Sequence, residues 1–161
     1  MDSAVSYRAV EESDLSFLKS VYISTRVDEL SATDWSQQQI EAFLSMQFEA
    51  QHRFYQEQFP SATFEIIQVN HIDAGRLYLD YREDEIRIVD IALLPQFRTS
   101  GLGTGILKTI IRNAEEKSLC VRIHVEKNNP ALSLYQRLGF KQIGDKGVYW
   151  LMEKRTSKQA A

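Results

Sequence analysis

The stretch that most limits what this chain can fold into runs from Glu85 to Lys117: an apolar strand, a glycine-bearing turn and an amphipathic helix. Ile86-Arg87-Ile88-Val89-Asp90-Ile91-Ala92-Leu93-Leu94 reads as the strand, closed by Pro95. Arg98-Thr99-Ser100-Gly101-Leu102-Gly103-Thr104-Gly105 is the turn. Leu102, Ile106, Leu107, Ile110, Ile111 and Ala114 then recur at helical spacing, which predicts one buried face. A helix start offers N–H groups with no partner in the helix, at the positive end of its dipole. Glycines at 101 and 103 remove the Cβ atoms that would hold a ligand off this backbone, and Arg98 adds charge. Such a turn suits a pyrophosphate. Two well-known cradles fail on spacing. The dinucleotide fingerprint wants a third glycine where Ile106 stands, and the P-loop wants Gly-Lys-Ser/Thr where the chain reads Ile106-Leu107-Lys108.

The elements before this unit read as strand, helix, helix, then strands in succession. Tyr7-Arg8-Ala9-Val10 is a short first strand; Glu11 to Asp14 cap a helix with Leu15, Leu18, Val21 and Tyr22 inward. A loop from Asp28 to Asp34 follows. Ser36 with Gln39 makes a capping box, and Trp35 with Ile40 a hydrophobic staple, for a helix ending before Pro60. Phe64 to Val69 and Gly75 to Arg82 are strands about an Asn70-to-Asp73 turn, with Leu77 and Leu79 on one face. Cys120 to Val125 should lie parallel to the 86–94 strand, since one helix joins them. Asn129 caps a short helix from Ala131 to Leu138 that Gly139 ends. Phe140 to Ile143 and Val148 to Met152 close the sheet around Asp145-Lys146-Gly147, before a frayed tail from about residue 155. Successive strands of this kind exclude a doubly wound sheet.

At 161 residues the chain suits one domain with its own core. A net charge of −3 gives no support to a nucleic-acid partner. The single Cys120 forms no intramolecular disulfide and reads as a small buried hydrophobe; no zinc-type cluster is present, so no metal is expected. The chain opens without a signal-peptide pattern and holds no run long enough to span a membrane, so a cytoplasmic protein is expected.

A second motif decides between a simple βα turn and a cofactor site. The pattern R-x-x-G-x-G after a strand ending in Leu-Pro resembles the acetyl-coenzyme-A motif of the GNAT N-acetyltransferase superfamily. Val125-Glu126-Lys127-Asn128-Asn129-Pro130-Ala131-Leu132-Ser133-Leu134-Tyr135-Gln136-Arg137-Leu138-Gly139-Phe140 is similar to its other hallmark, N-x-x-A-x-x-L-Y-x-x-x-G-F. Counting back from Tyr135 and Ala131 makes Asn128 the motif asparagine, whereas counting forward from Val125 points to Asn129.

The resemblance covers about Tyr7 to Glu153 and implies a mixed α/β fold. Its sheet is mostly antiparallel, with a splayed parallel strand pair and flanking helices. It implies acetyl-CoA as cofactor, with the pantetheine arm on backbone groups of Ile91, Ala92 and Leu93. The pyrophosphate would lie on Arg98, Thr99, Ser100, Gly101, Leu102, Gly103 and Thr104, with Asn128, Asn129, Ala131 and Tyr135 completing the cofactor contacts. Acetyl transfer to an amine needs a base, since an alkyl ammonium has a pKa of about 10. It also needs a donor for the oxyanion, for which a backbone N–H near Leu93 serves, and an acid for the leaving thiolate. Tyr135 matches the family tyrosine and fits the acid. The glutamates that some members carry are absent: Arg87 stands near one such position and His124 near the other. Asp90, His124, Glu85 or a water they order are the candidate bases, although a satisfied buried histidine is the commoner role for His124. Asp28, Glu29 and Trp35 are candidates for amine recognition. The resemblance implies an amine acceptor, small or peptidic, and allows a homodimer. The alternative is a non-catalytic acyl-CoA-binding protein using the same cradle.

Overall fold

The structure is a computed structural model that describes residues 4–156. Its order is β1 (Val5–Ala9), a 3-10 turn (Glu12–Asp14), α1 (Leu15–Ser31), α2 (Gln37–Gln58), β2 (Thr63–Val69), β3 (Ile72–Tyr81) and β4 (Glu85–Leu93). A second 3-10 turn (Pro95–Phe97) leads to α3 (Leu102–Lys117), β5 (Cys120–Glu126), α4 (Leu132–Arg137), β6 (Lys141–Lys146) and β7 (Tyr149–Lys154). The strands form one sheet in the order β1-β2-β3-β4-β5-β7-β6. β4 and β5 are parallel, as the single connecting helix requires, while β1/β2, β5/β7 and β6/β7 are antiparallel. Among the described residues no helix is long and apolar enough to cross a membrane. By internal contact the chain parts into two units, residues 1–78 with 90–98 and residues 79–89 with 99–161.

In the first unit, α1 and α2 pack on each other. Leu18, Val21 and Tyr22 of α1 and Ile40, Leu44 and Phe48 of α2 are buried, spaced so that each set shares one helical face. Each such side chain contributes about 1.5–3 kcal/mol. Leu15, expected inward, is 38% exposed, because Glu12–Asp14 form a separate 3-10 turn and Leu15 only opens the α-helix. Asp14 instead anchors that turn: it accepts both Arg8 Nη1 (2.9 Å) and Nη2 (2.8 Å), and the Glu11 N–H (2.8 Å). α1 runs on to Ser31, so Asp28 and Glu29 lie on its last turns and not in a loop. The Ser36–Gln39 capping box forms as expected, Ser36 Oγ accepting from Gln39 N and Gln39 Oε1 from Ser36 N. The Trp35 ring packs edge-on to Phe43 at 5.1 Å, a partner that the staple pattern with Ile40 did not anticipate. Between β2 and β3 the turn tightens to Asn70-His71, both at positive φ, so β3 begins three residues earlier than its apolar pattern suggested. Leu77 and Leu79 are buried as expected, but so is every residue from Ala74 to Asp80.

In the second unit, α3 lies on β5 through Ile106, Leu107, Ile110 and Ala114, with Leu102 and Ile111 half-buried at the margin. The helix begins at Leu102, so Gly103 and Gly105 belong to its first turn; Gly101 alone of the three takes the left-handed backbone, at φ 82°. Gly139 ends α4 as expected, donating to Gln136 O while Phe140 N–H donates to Tyr135 O. α4 starts at Leu132, and the Asn129 side chain caps the turn before it by accepting from Ala131 N at 2.8 Å. β6 and β7 extend further than expected, about a turn at Gly147 (φ 78°) and Val148. Thr156 is buried, so the chain is still packed there; residues 157–161, the rest of the expected frayed tail, lie outside the described residues.

Candidate functional site

The glycine turn belongs to the second unit. α3's first intrahelical bond is Gly105 N–H to Gly101 O, so the N–H groups of Leu102, Gly103 and Thr104 come before the ladder. A Cβ added at Gly101 or Gly105 would meet nothing within 4 Å, which leaves open space over this end of the helix. Thr99 and Ser100 are exposed, with Thr99 at φ 60°. These features fit a phosphate-bearing group.

In the same unit Tyr135 is buried, and its ring meets Phe140 edge-on at 5.5 Å. Asn129 spends its side-chain carbonyl on Ala131 N–H, whereas Asn128 is exposed on the turn that follows β5. His124 is exposed, a correction to the buried role weighed for it. It projects from the sheet face away from the buried Val121, Ile123 and Val125, because successive strand residues alternate. Its ring lies edge-on to Tyr149 at 6.4 Å. Partial desolvation on the sheet, then the charges of Arg87 and Lys146, hold its pKa below the ordinary value. Glu85 is buried and committed, bonding Arg87 at 3.0 and 3.3 Å, Arg122 at 3.3 Å and Arg82 at 3.5 Å. It is therefore a structural acceptor and not a free base. Cys120 is buried as expected; its thiol donates to Asp84 O at 3.5 Å, and burial pushes its pKa up, which keeps it inert.

In the first unit, Ile91, Ala92 and Leu93 are half-buried on the outgoing end of β4. Arg98 folds back on that end, donating Nε to Leu93 O (2.9 Å) and Nη2 to Ser24 Oγ (3.1 Å). Asp90 is bound from two sides. Arg76 Nη2 donates to it at 2.6 Å and Tyr55 Oη at 3.1 Å. Arg76, 3% exposed, also donates to Gln51 Oε1 at 3.0 Å, and its guanidinium lies 5.4 Å from the Tyr78 ring centroid. Burial pushes the Tyr78 phenol up to about 12, against the pull of Arg76. Asp90 thus neutralises a buried guanidinium.

Sequence reasoning missed Arg76 and Gly75. A Cβ at Gly75 would collide with the Ala92 carbonyl oxygen and stand 3.0 Å from Leu93 Cα, so only glycine lets the two backbones approach. The available signal was two opposite charges, Arg76 between Gly75 and Leu77 and Asp90 between Val89 and Ile91, in strands that also carry other charges. Trp35, Asp28 and Glu29 are all exposed, and Glu29 pairs with Arg26 at 3.2 Å. Among the described residues no group of three His, Cys, Asp or Glu could hold a metal.

Comparison with known proteins adds to this geometry. The profile of an acetyltransferase (GNAT) domain matches residues 31–149. An N-alpha-acetyltransferase of Sulfurisphaera tokodaii is 42% identical over 62 residues, 35% of this chain and 35% of the relative. The chain thus spans about a third of the length of the curated relatives it matches. In fold, the PaiA N-acetyltransferase of Thermoplasma acidophilum, solved in complex with coenzyme A, superposes with a TM-score of 0.70 at 18% identity. That superposition covers 94% of this chain and 99% of the other. The ribosomal-protein-S18-alanine N-acetyltransferase of Escherichia coli gives 0.58 at 21% identity, covering 93% and 91%.

Proposed function

We propose an activity from a fixed premise: this chain belongs to the acetyltransferase (GNAT) domain family. Within it, the chain acts as a single acetyltransferase domain that moves the acetyl group of acetyl-CoA directly to a primary amine. The observation that carries this reading is the head of α3, where Gly101 in the left-handed conformation leaves three N–H groups ahead of the ladder under open space. The relatives named N-alpha-acetyltransferase favour an amine at a peptide N-terminus as acceptor. A lysine side chain or a small amine is the wider class. The reading includes a cytoplasmic location and no nucleic-acid partner, supported by the net charge of −3.

Bound acetyl-CoA supplies a thioester carbon open to attack by nitrogen. The chain's own groups do the rest. Backbone N–H groups from Thr99 to Thr104, with Arg98 near by in sequence, hold the phosphates. Backbone groups of Ile91, Ala92 and Leu93 hold the pantetheine amides, joined by Asn128, whose side chain is not the one spent on capping. His124, kept neutral near pH 7 by its surroundings, takes the ammonium proton directly or through water. A backbone N–H near Leu93 holds the charge that develops on oxygen. The Tyr135 hydroxyl supplies the proton for the departing sulfur. Asp90 positions β4 through Arg76.

The test is thermal unfolding with acetyl-CoA, CoA and NAD, followed by thiol release with N-terminal peptides. Ligand at a hundred times its Kd stabilises by about 2.7 kcal/mol. Both CoA species should raise the midpoint, NAD should not, and Gly103→Val should lose the rise. Tyr135→Phe should slow thiol release while the CoA-induced rise persists. Binding without release from any amine would leave an acyl-CoA-binding protein, and no rise at all would remove the cofactor reading.

A further inference from the structure

We propose that the outer face of α2 is a self-association surface, on which a second copy of this chain docks its own α2, antiparallel, about a two-fold axis at Ala50. The inference does not depend on the transferase reading and lies within the first unit. α2 carries two apolar stripes, where a helix with one covered face needs one. Ile40, Leu44 and Phe48 form the inward stripe and are buried. Met46, Ala50 and Phe54 follow one another at i, i+4 spacing on another side and make one ridge along the helix. Met46 is 60% exposed and Phe54 53%, and Ala50 between them is exposed as well. Phe43, half-buried, and Trp35, edge-on to it, continue the ridge toward the head of the helix. A contiguous apolar ridge of this kind on an exposed helix face marks a partner surface.

The ridge is complementary to itself. Met46 and Phe54 stand about 6 Å on either side of Ala50 along the helix, turned about 40° to opposite sides of it. A two-fold axis that passes between two copies of Ala50, perpendicular to both helices, therefore brings Met46 of each copy level with Phe54 of the other. A thioether then lies against an aromatic ring at both ends of the contact. The small Ala50 side chain at the crossing lets the helix axes approach to about 8–10 Å. The charges obey the same symmetry. Glu49 and Arg53 are exposed on one flank of the ridge, and the axis sets Glu49 of each copy within about 3 Å, along the helix, of Arg53 of the other. Within the chain Glu49 meets Lys19 at 3.8 Å and stays 63% exposed, so its carboxylate has room for a second cation. An anionic lipid surface fits less well, because Glu49 and Glu57 border the ridge against Arg53. Two helices touching over about three turns bury about 1,200 Å² or less in total, so a Kd on the order of 10–100 μM is expected.

The experiment is sedimentation velocity on the full chain from about 5 to 500 μM, a range that brackets the expected Kd. The sedimentation coefficient should rise from monomer toward dimer. Met46→Glu and Phe54→Glu should each hold the chain monomeric throughout, with an unchanged melting curve because both side chains are exposed. Arg53→Glu, which sets like charges together on the flank, should weaken the dimer several-fold. A second measurement reads the register. Under a mild oxidant Ala50→Cys should cross-link as a disulfide dimer, because position 50 faces itself across the axis. Gln56→Cys, exposed on the same helix but about 18 Å along it from its own symmetry mate, should not. The native Cys120 is buried and does not compete. A chain that stays monomeric over the whole range overturns the surface, and so does a dimer that Met46→Glu leaves intact. Ala50→Cys that cross-links no faster than Gln56→Cys overturns the two-fold arrangement.

Discussion

Breaking the Arg76–Asp90 pair from its two sides should give unequal losses, and the asymmetry can be worked from the surroundings. The side chains are 4% and 15% exposed and meet at 2.6 Å. Asp90→Asn keeps the shape but takes the countercharge from a guanidinium that is almost fully buried beside Gln51 Oε1 and the rings of Tyr22 and Tyr78. Removing one partner of a buried pair costs about 3–5 kcal/mol, and the upper half of that range is expected here. Arg76→Met leaves Asp90 with its Tyr55 bond and a margin of solvent, where a proton or water can relieve it; about 3 kcal/mol is expected. Arg76→Met with Asp90→Leu removes both charges and should cost far less than the sum of the single variants. Urea unfolding followed by circular dichroism measures all three, with the slope held constant across the series. A double variant whose loss equals the sum to within about 0.5 kcal/mol would refute the coupling. Asp90→Asn milder than Arg76→Met would refute the argument about burial.

Gly75→Ala should destabilise by about 1–3 kcal/mol and weaken the CoA-induced rise in midpoint, because the β4 backbone at Ala92 and Leu93 must move aside; an unchanged melting curve with and without acetyl-CoA would contradict this. Ser118 ends α3 in the left-handed conformation at φ 58°, which costs a non-glycine residue about 1–2 kcal/mol, so Ser118→Gly should raise the midpoint by a few degrees in a thermal scan. The His124 pKa lies below its ordinary value near 6.5, so the neutral base is the main form at pH 7 and is lost only as the pH falls through that lowered value. The acidic limb of the kcat/KM profile should therefore fall below about 6.5 and vanish in His124→Gln; a limb that survives the substitution assigns the base elsewhere.

What the sequence determined by itself was whatever depends on neighbours along the chain. The Ser36–Gln39 box, the Gly139 terminus and the strand–turn–helix about Gly101 follow from periodicity and from the demands of unpaired N–H and C=O groups at helix ends. The elements that carry the cofactor motif were legible for the same reason, since a strand, a turn and a helix start are built from consecutive residues. Where a local stop signal was missing, the reading slipped. α1 carries no glycine or proline at its end, so nothing local marks that Asp28 and Glu29 lie on the helix and not in a loop. The tertiary structure alone decided which charges are spent. Asp90 read as a candidate base until β3 brought Arg76 to it and α2 brought Tyr55. Glu85 was consumed by three arginines from other positions, whereas His124, a candidate base for which burial was the commoner expectation, came out exposed. Burial and charge pairing depend on which strands lie side by side, and the energy that selects those neighbours is summed over the whole core rather than written in any short stretch of residues.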